Sequence, residues 1–175
     1  FVLDYLPEGR PTVQMKRYVE PLSYVVGRDE LKLFEITLKA PVEIGERVYV
    51  GKNPAKRDKV NKILRRISYP DLTSSAKSEL PEVLENVVME RENFFVEFFN
   101  KASPITTRFH MLELIPGFGK KMMWTVIKER DTSKFKSFSD LSERTGIKNP
   151  QKLTAKRIED ELSSKNERYL LFVKG

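Results

Sequence analysis

A Pro-Gly-Phe-Gly-Lys-Lys sequence in the second half of the chain has the residue types to bind an anion. Gly117 and Gly119 permit positive φ angles and close approach of a ligand, because neither carries a Cβ atom. Pro116 disfavours the helical conformation for the residue before it and would end a preceding helix. Lys120 and Lys121 then fall at the start of the next predicted helix, where free backbone N–H groups and the helix dipole favour negative charge. The sequence therefore predicts a phosphate-binding turn.

Apolar residues on both sides of the turn recur at helical spacing, which predicts a helix on each side. The residues are Ile105, Phe109 and Leu112 before the turn and Met123, Val126 and Ile127 after it. His110, the one histidine of the chain, lies beside the first stripe. We expect it at the surface or edge of that helix.

The turn resembles the helix-hairpin-helix motif of DNA- and RNA-binding proteins. Ile115, Gly117, Phe118 and Gly119 match the hydrophobic-x-Gly-hydrophobic-Gly core of that motif. The resemblance implies contacts to nucleic-acid phosphates along the turn and its two lysines. A purely structural turn, or one that contacts another protein, is the alternative.

A second stretch, at residues 144–150, resembles a degraded copy of the turn. Gly146 and Ile147 stand where the first glycine and the phenylalanine stand in the first copy, but Lys148 replaces the second glycine. We include Gly146 and Lys148 among the expected nucleic-acid-binding residues, and expect weaker backbone contacts there.

A dense group of positive charges, the basic cluster, extends from Lys52 to Arg66. Its seven cations, which accompany the single acid Asp58, are Lys52, Lys56, Arg57, Lys59, Lys62, Arg65 and Arg66. Clustered cations bind phosphates without sequence preference by releasing condensed counterions. The net charge of +7 and the pI of about 9.5 agree with a polyanion-binding protein. Tyr49 and Tyr69 flank the cluster and would either stack on bases or belong to the core.

The predicted fold class is α+β, with a small N-terminal OB-like β-barrel followed by an α-helical helix-hairpin-helix domain. Residues 1–72 contain short runs rich in β-branched and aromatic residues, separated by glycine and proline. Strands are predicted at 13–19, 22–26, 31–39 and 47–50, whereas 60–69 fits either a strand or a helix. Alternation within 31–39 predicts one buried face carrying Phe34, Ile36 and Leu38. Several short strands of this kind favour a barrel.

The remaining segments complete four predicted parts of the chain. Residues 73–102 are predicted to form a linker and a connecting helix, with Ser78 as its N-cap. Residues 103–168 are predicted to form the helix-hairpin-helix domain, and residues 169–175 a terminal strand on the N-terminal sheet.

The sequence lacks the catalytic residues that several classes of enzyme require. The absence of cysteine and the single histidine exclude a disulfide scaffold, a Cys/His zinc site and a cysteine nucleophile. Asp131 and Asp140 have the surroundings of a helix end and a helix cap, and no group of carboxylates converges to bind a metal. Residues 45–52 imitate a phosphate loop, but five residues separate the glycines and Asn53 replaces the serine or threonine. We expect no catalytic residue, no metal and no cofactor; a nuclease or glycosylase is the alternative.

The longest late apolar run, at residues 169–173, is too short to span a bilayer, and no secretory signal is visible. We therefore expect a cytoplasmic protein that binds no membrane.

Over its whole length the sequence resembles an uncharacterised archaeal family of predicted nucleic-acid-binding proteins. The resemblance rests on the hairpin and on Val2 to Leu6, Ile44 to Gly51 and Glu167 to Val173. Only the hairpin is a specific functional motif. The resemblance implies an RNA or DNA partner without an assigned reaction. It does not distinguish a single strand from a duplex. Besides RNA and DNA, a protein partner is the third possibility.

Overall fold

The computed structural model describes residues 1–10, 20–164 and 167–174, and it divides the chain into two compact units. The sheet unit comprises Phe1–Val83 and Glu161–Gly175, and the helical unit comprises Leu84–Asp160. The boundaries of these units fall within two helices. The α+β class is confirmed.

The sheet unit contains four antiparallel strands in the order β1-β2-β3-β4. The strands are β1 (Val2–Leu6), β2 (Leu22–Val26), β3 (Leu33–Leu38) and β4 (Val60–Ile67). The strands expected at 22–26 and 31–39 are confirmed, and 60–69 proves to be a strand. All of β2 and nearly all of β3 are buried, so the expectation of a single buried face in β3 was wrong. The second face of β3 is buried although it carries the polar side chains of Glu35 and Thr37.

The strands of the described residues form an open sheet and close no barrel. The strand expected at 13–19 lies outside those residues. Residues 47–50 form no strand, although Val48 and Val50 pack against the core of Val2, Val25, Ile36, Leu38, Val42 and Val60. The loop before them is held to β1 by hydrogen bonds from Gly45 N–H to the Val2 carbonyl (2.8 Å) and from Val2 N–H to the Glu46 carbonyl (2.9 Å).

Two helices replace the single connecting helix expected within 73–102. Helix α1 (Ser74–Glu90) begins four residues before the expected N-cap Ser78, because Thr73 Oγ1 accepts the Ala76 N–H at 3.0 Å and caps the helix. Helix α2 (Glu92–Lys101) follows after a break at Arg91, whose backbone leaves the helical region. Phe94, in the first turn of α2, is exposed.

The helical unit continues with a small two-stranded sheet and three helices. They are β5 (Pro104–Thr106), β6 (Phe109–His110), α3 (Lys120–Thr132), α4 (Phe138–Thr145) and α5 (Pro150–Ser163), which runs on into the sheet unit. The helix expected before the turn was wrong: β5 and β6 occupy its place, followed by a 3-10 turn at Met111–Leu114. His110 is buried, not at a helix surface, because its Nδ1 accepts the Leu112 N–H at 3.0 Å and caps the 3-10 turn.

Residues 169–174 form no strand. The Glu161 carboxylate at the end of α5 accepts the N–H groups of Leu171, Phe172 and Val173 at 2.8, 3.0 and 2.9 Å. These amides are thereby satisfied by one side chain, which removes the need for the sheet partner that the sequence led us to expect.

None of the helices in residues 1–10, 20–164 and 167–174 is long and apolar enough to cross a membrane.

Candidate nucleic-acid interface

The turn that begins at Ile115 has the geometry that its glycine and proline predict. The Phe118 N–H donates to the Ile115 carbonyl at 3.0 Å, Pro116 occupies the second position, and Gly117 adopts a φ of 80° at the third. These features are those of a type II turn, whose third residue is usually glycine because φ is positive there. Gly117 is exposed at the tip of the turn.

Helix α3 starts immediately after the turn, with Gly119 as its N-cap. No side chain caps this end, and the first intrahelical bond runs from the Met123 N–H to the Gly119 carbonyl at 3.0 Å. The N–H groups ahead of Met123 therefore have no helical acceptor, and they lie at the positive end of the helix dipole. Gly119 is exposed, so this end of α3 is open to an anion.

Phe118 differs from the other predicted binding residues of the turn because its side chain is buried. It is 8 % exposed, and its ring centroid lies 6.1 Å from that of Phe99 on α2. The ring therefore anchors the turn in the core of the helical unit, and only the backbone of Phe118 can meet a ligand.

The two lysines of the turn have different surroundings. Lys120 Nζ donates to the Arg108 carbonyl at 2.8 Å and to Glu113 Oε2 at 3.0 Å. The Lys120 hydrogen bond and the His110 N–H lower the pKa of Glu113, so this carboxylate is charged at neutral pH. Lys121 is exposed, and its ammonium has no ion pair or hydrogen bond within the described part of the chain. Lys121 is therefore the cation of the turn that is available to a ligand.

The second predicted turn has fewer free donors than the first. Gly146, at a φ of 76°, ends α4 and donates its N–H to the Ser142 carbonyl at 2.8 Å. Ile147 is buried, and its N–H contacts Thr145 Oγ1 at 3.3 Å. The following helix begins at Pro150, which has no N–H group. Lys148 is exposed and could meet a phosphate, but the backbone around it is largely committed to the fold.

The basic cluster divides into cations that hold the sheet unit together and cations that do not. Four of the cations have an acceptor within the sheet unit. Arg57 donates to the Gly51 carbonyl at 2.8 Å, and Lys59 lies 2.6 Å from the Glu46 carboxylate. Arg65 lies 2.8 Å from the Glu35 carboxylate, and Arg66 donates to the Lys174 carbonyl at 3.4 Å. Lys52, Lys56 and Lys62 are exposed, and none of their ammonium groups has a partner within residues 1–10, 20–164 and 167–174. Counted against the residues that the structure describes, the cluster therefore offers three free cations and not seven.

The strand pairing explains why the arginine at position 65 is committed. Arg65 on β4 lies opposite Glu35 on β3, and the Glu35 side chain is 4 % exposed. Arg10 forms a second ion pair with the same carboxylate. A buried carboxylate needs such partners, because burying an unpaired charge is strongly unfavourable.

In the part of the chain that the structure describes, no group of three or more His, Asp or Glu residues could hold a metal ion. Asp140 has a structural role: its carboxylate accepts the Lys136 N–H at 2.9 Å and lies 3.3 Å from the Arg144 guanidinium. Asp131 is exposed.

The sequence patterns do not single out Trp124, the one tryptophan of the chain, although it is 62 % exposed on α3. It lies three residues after Lys121 and therefore on the same face of the helix. The sequence does contain a signal for the exposure of Trp124, because this residue lies outside the apolar stripe of Met123, Val126 and Ile127.

Comparisons with known proteins agree on one family. Residues 1–174 match the family model described as "Protein of unknown function (DUF655)". The chain is 49 % identical over 177 residues to the uncharacterized protein MJ0038 of Methanocaldococcus jannaschii, covering 99 % of this chain and 78 % of that one. The structure resembles the crystal structure of Af1531 from Archaeoglobus fulgidus, described there as a DUF655 protein, with a TM-score of 0.89 and 44 % identity over 99 % of this chain and 98 % of that one.

These matches confirm the resemblance to an uncharacterised archaeal family that the sequence suggested. Their names state no ligand and no reaction.

Proposed function

The chain belongs to the DUF655 family, whose description assigns no function, and we propose from its own residues that it binds RNA or DNA without catalysing a reaction. The observation that carries the proposal is the exposed, uncapped start of α3 after a glycine turn, next to the ammonium of Lys121, which has no partner among the described residues. A phosphate at this position would accept backbone N–H groups and meet a favourable dipole.

The choice of lysine at this position supports the same proposal. Cations in the first turn of a helix oppose the helix dipole, at a cost of roughly 0.3–1 kcal/mol each at exposed sites. Lys120 recovers stability through Glu113 and the Arg108 carbonyl, whereas Lys121 has no such partner within the described residues. A bound phosphate would turn the unfavourable position of Lys121 into a favourable one.

We interpret the turn with α3 as a helix-hairpin-helix motif whose first helix is reduced to the 3-10 turn at Met111–Leu114. We interpret the sheet unit as an OB-like module in which the loop at 42–50 covers the core of the sheet. Both modules are used by nucleic-acid-binding proteins, so these assignments agree with the proposed function but do not by themselves establish it.

The three free lysines of the basic cluster supply a second, weaker contact of the same kind. Phosphate contacts of this sort position a nucleic acid without reading its sequence. Together with Lys121 they give about four neutralised phosphates, for which log K should fall against log salt with a slope of about −3 to −4.

The experiment is a fluorescence anisotropy titration of labelled RNA and DNA, single-stranded and duplex, at several salt concentrations. We expect micromolar or tighter binding at low salt with weak sequence preference and the slope given above. A slope near zero, or no binding of any of the four probes, would overturn the proposal.

The non-catalytic part of the proposal is tested on the same probes. Incubation with magnesium, with manganese or with neither should leave all four intact, because the acids are dispersed or used in the fold. Cleavage that persists through repurification and is lost in Asp131→Asn would favour the nuclease alternative instead.

A further inference from the structure

A pocket of about 450 Å³ lies within the helical unit, between the β5–β6 pair and α3. Its volume falls in the range of roughly 300–1,000 Å³ that is typical of small-molecule sites. Phe109, Met123, Trp124 and Ile127 give it apolar and aromatic walls. Walls of this composition suit a flat, largely apolar ring.

Trp124 is the element of the pocket that indicates the class of ligand. Its indole is 62 % exposed and belongs to the pocket lining, so a large part of its aromatic surface is open to a ligand. Aromatic side chains in this position stack on the bases of single-stranded nucleic acids, because every base has a π-face.

A polar group that can meet the edge of such a ring is also present. His110 lines the pocket and is 6 % exposed. Since its Nδ1 accepts the Leu112 N–H, the neutral ring carries its proton on Nε2. This N–H donates to no partner within the described residues. Every fully buried side-chain nitrogen of those residues has a hydrogen bond, so the Nε2 atom must keep some exposure to solvent. It is available to an acceptor inside the pocket.

The pocket adjoins the proposed phosphate site. Lys120 belongs both to the start of α3 and to the pocket lining, where Arg108 and Arg130 are two further cations and Glu113 is the one acid. A strand held by one phosphate at the turn would thus place a neighbouring nucleotide at the pocket, in surroundings whose charge complements the backbone.

We propose that this pocket receives one unpaired base of a nucleic-acid strand, with Trp124 stacking on the base and the adjacent phosphate at the turn. The proposal rests on the proposed function and narrows it to strands with accessible bases. A base paired within a duplex cannot enter, because its faces are covered by its neighbours and its edge by its partner.

Intrinsic fluorescence tests the proposal directly, since Trp124 is the only tryptophan. Wild-type protein is titrated with a single-stranded oligonucleotide and with the corresponding duplex, each as DNA and as RNA. A DNA strand of the same length made entirely of abasic sites is the third probe. We expect emission to be quenched by the intact single strand, with the same midpoint as binding measured by anisotropy. The duplex and the abasic strand should leave the emission nearly unchanged.

Substitutions provide the second arm. Trp124→Leu should weaken binding of the single strand by about five- to a hundredfold, the effect of removing one stacking contact, and leave duplex binding unchanged. Trp124→Phe should restore part of the affinity. Phe94→Leu is the matched control, because Phe94 is another exposed aromatic residue of the helical unit that does not line the pocket.

The outcomes separate the two proposals. If nucleic acids bind with the expected salt dependence but the emission stays constant and Trp124→Leu binds normally, the base pocket is wrong and the phosphate-binding function stands. Equal quenching by an acidic peptide would also overturn the base pocket. If none of the nucleic acids binds, both proposals fail.

Discussion

The turn between Ile115 and Lys121 and the basic cluster between Lys52 and Arg66 use positive charge in opposite ways. In the cluster, seven cations occur in fifteen residues, but four of them serve acceptors within the sheet unit. The turn has two cations, one of which is held by Glu113, yet it exposes uncapped backbone N–H groups.

The difference shows that the number of cations in a sequence does not give the number available to a ligand. Arg65 is fixed by a buried carboxylate that lies thirty residues away in sequence, and Lys59 by Glu46. The turn needs few cations because its donors belong to the backbone, whose arrangement is set by glycine and proline. We therefore expect the turn to determine the affinity and the cluster to determine most of the salt dependence.

The largest effect is expected from Gly119→Val. A Cβ atom at this position meets nothing within 4 Å, and the φ of −97° suits any residue, so the turn should keep its shape. The valine side chain would nevertheless cover the N–H groups at the start of α3. Anisotropy should show binding weaker by about tenfold or more, as for the loss of one or two charge-assisted hydrogen bonds.

Gly119→Ser is the control for that substitution, because serine is small and is itself a good N-cap. Its melting temperature should equal or exceed that of the wild type, and its hydroxyl should compete only partly with a phosphate. Wild-type affinity in Gly119→Val, with circular dichroism unchanged, would show that the turn is structural and that the cluster is the binding site.

The next effect separates the two groups of cations within the cluster. Replacing Lys52, Lys56 and Lys62 by alanine should reduce the magnitude of the salt slope by about two to three units without changing the melting temperature. Arg65→Met should instead lower the melting temperature and leave the salt slope nearly unchanged, because it leaves the buried Glu35 with one partner fewer. An unchanged salt slope in the triple variant would remove the cluster from the proposed interface.

Local chemistry explains which features were predictable from the sequence. The turn was predictable because Pro116 and Gly117 restrict the backbone through their own covalent structure. The strands at 22–26 and 31–39 were predictable from their β-branched and aromatic residues. In each case the information lies within a few neighbouring residues.

Features that depend on distant partners were not predictable. Ile105, Phe109 and Leu112 have helical spacing, but β5 and β6 pair there instead, and His110 becomes a buried cap. The terminal segment has the composition of a strand, but Glu161 takes its amides. For the same reason the sequence could not show which cations of the cluster have partners, or that Trp124 borders a pocket.

A smaller effect distinguishes the two lysines of the turn. Lys121→Ala removes the ammonium that has no internal partner among the described residues, so it should reduce the salt slope by about one unit and weaken binding severalfold. Lys120→Ala should change binding less and lower the melting temperature, because it removes the ion pair of Glu113 and leaves the Arg108 carbonyl without the Lys120 donor. Anisotropy and thermal melts on both variants measure the contrast, and the reverse assignment of effects would contradict it.

The smallest expected effect is a dependence of stability on pH near neutrality. It should arise beside the turn and not in the cluster, because the one histidine of the chain, His110, precedes the turn. Burial, together with the positive charge of Arg130, lowers the pKa of His110 below its ordinary value of 6.5. Between the lowered pKa and 6.5 the unfolded chain binds a proton that the folded chain does not. Stability should therefore be fully present above pH 6.5 and fall as the pH decreases through this window, by at most about 1.4 kcal/mol per pH unit for one proton.

Thermal melts between pH 7.0 and 5.5 measure this decrease, and His110→Asn is the matched variant because asparagine can cap the 3-10 turn without titrating. The carboxyl groups of Glu113 and Glu46, whose pKa values lie below 4.5, remain charged throughout this interval. The melting temperature of the variant should consequently change less with pH than that of the wild type. Parallel curves for the two proteins would show that protonation of His110 is not linked to folding.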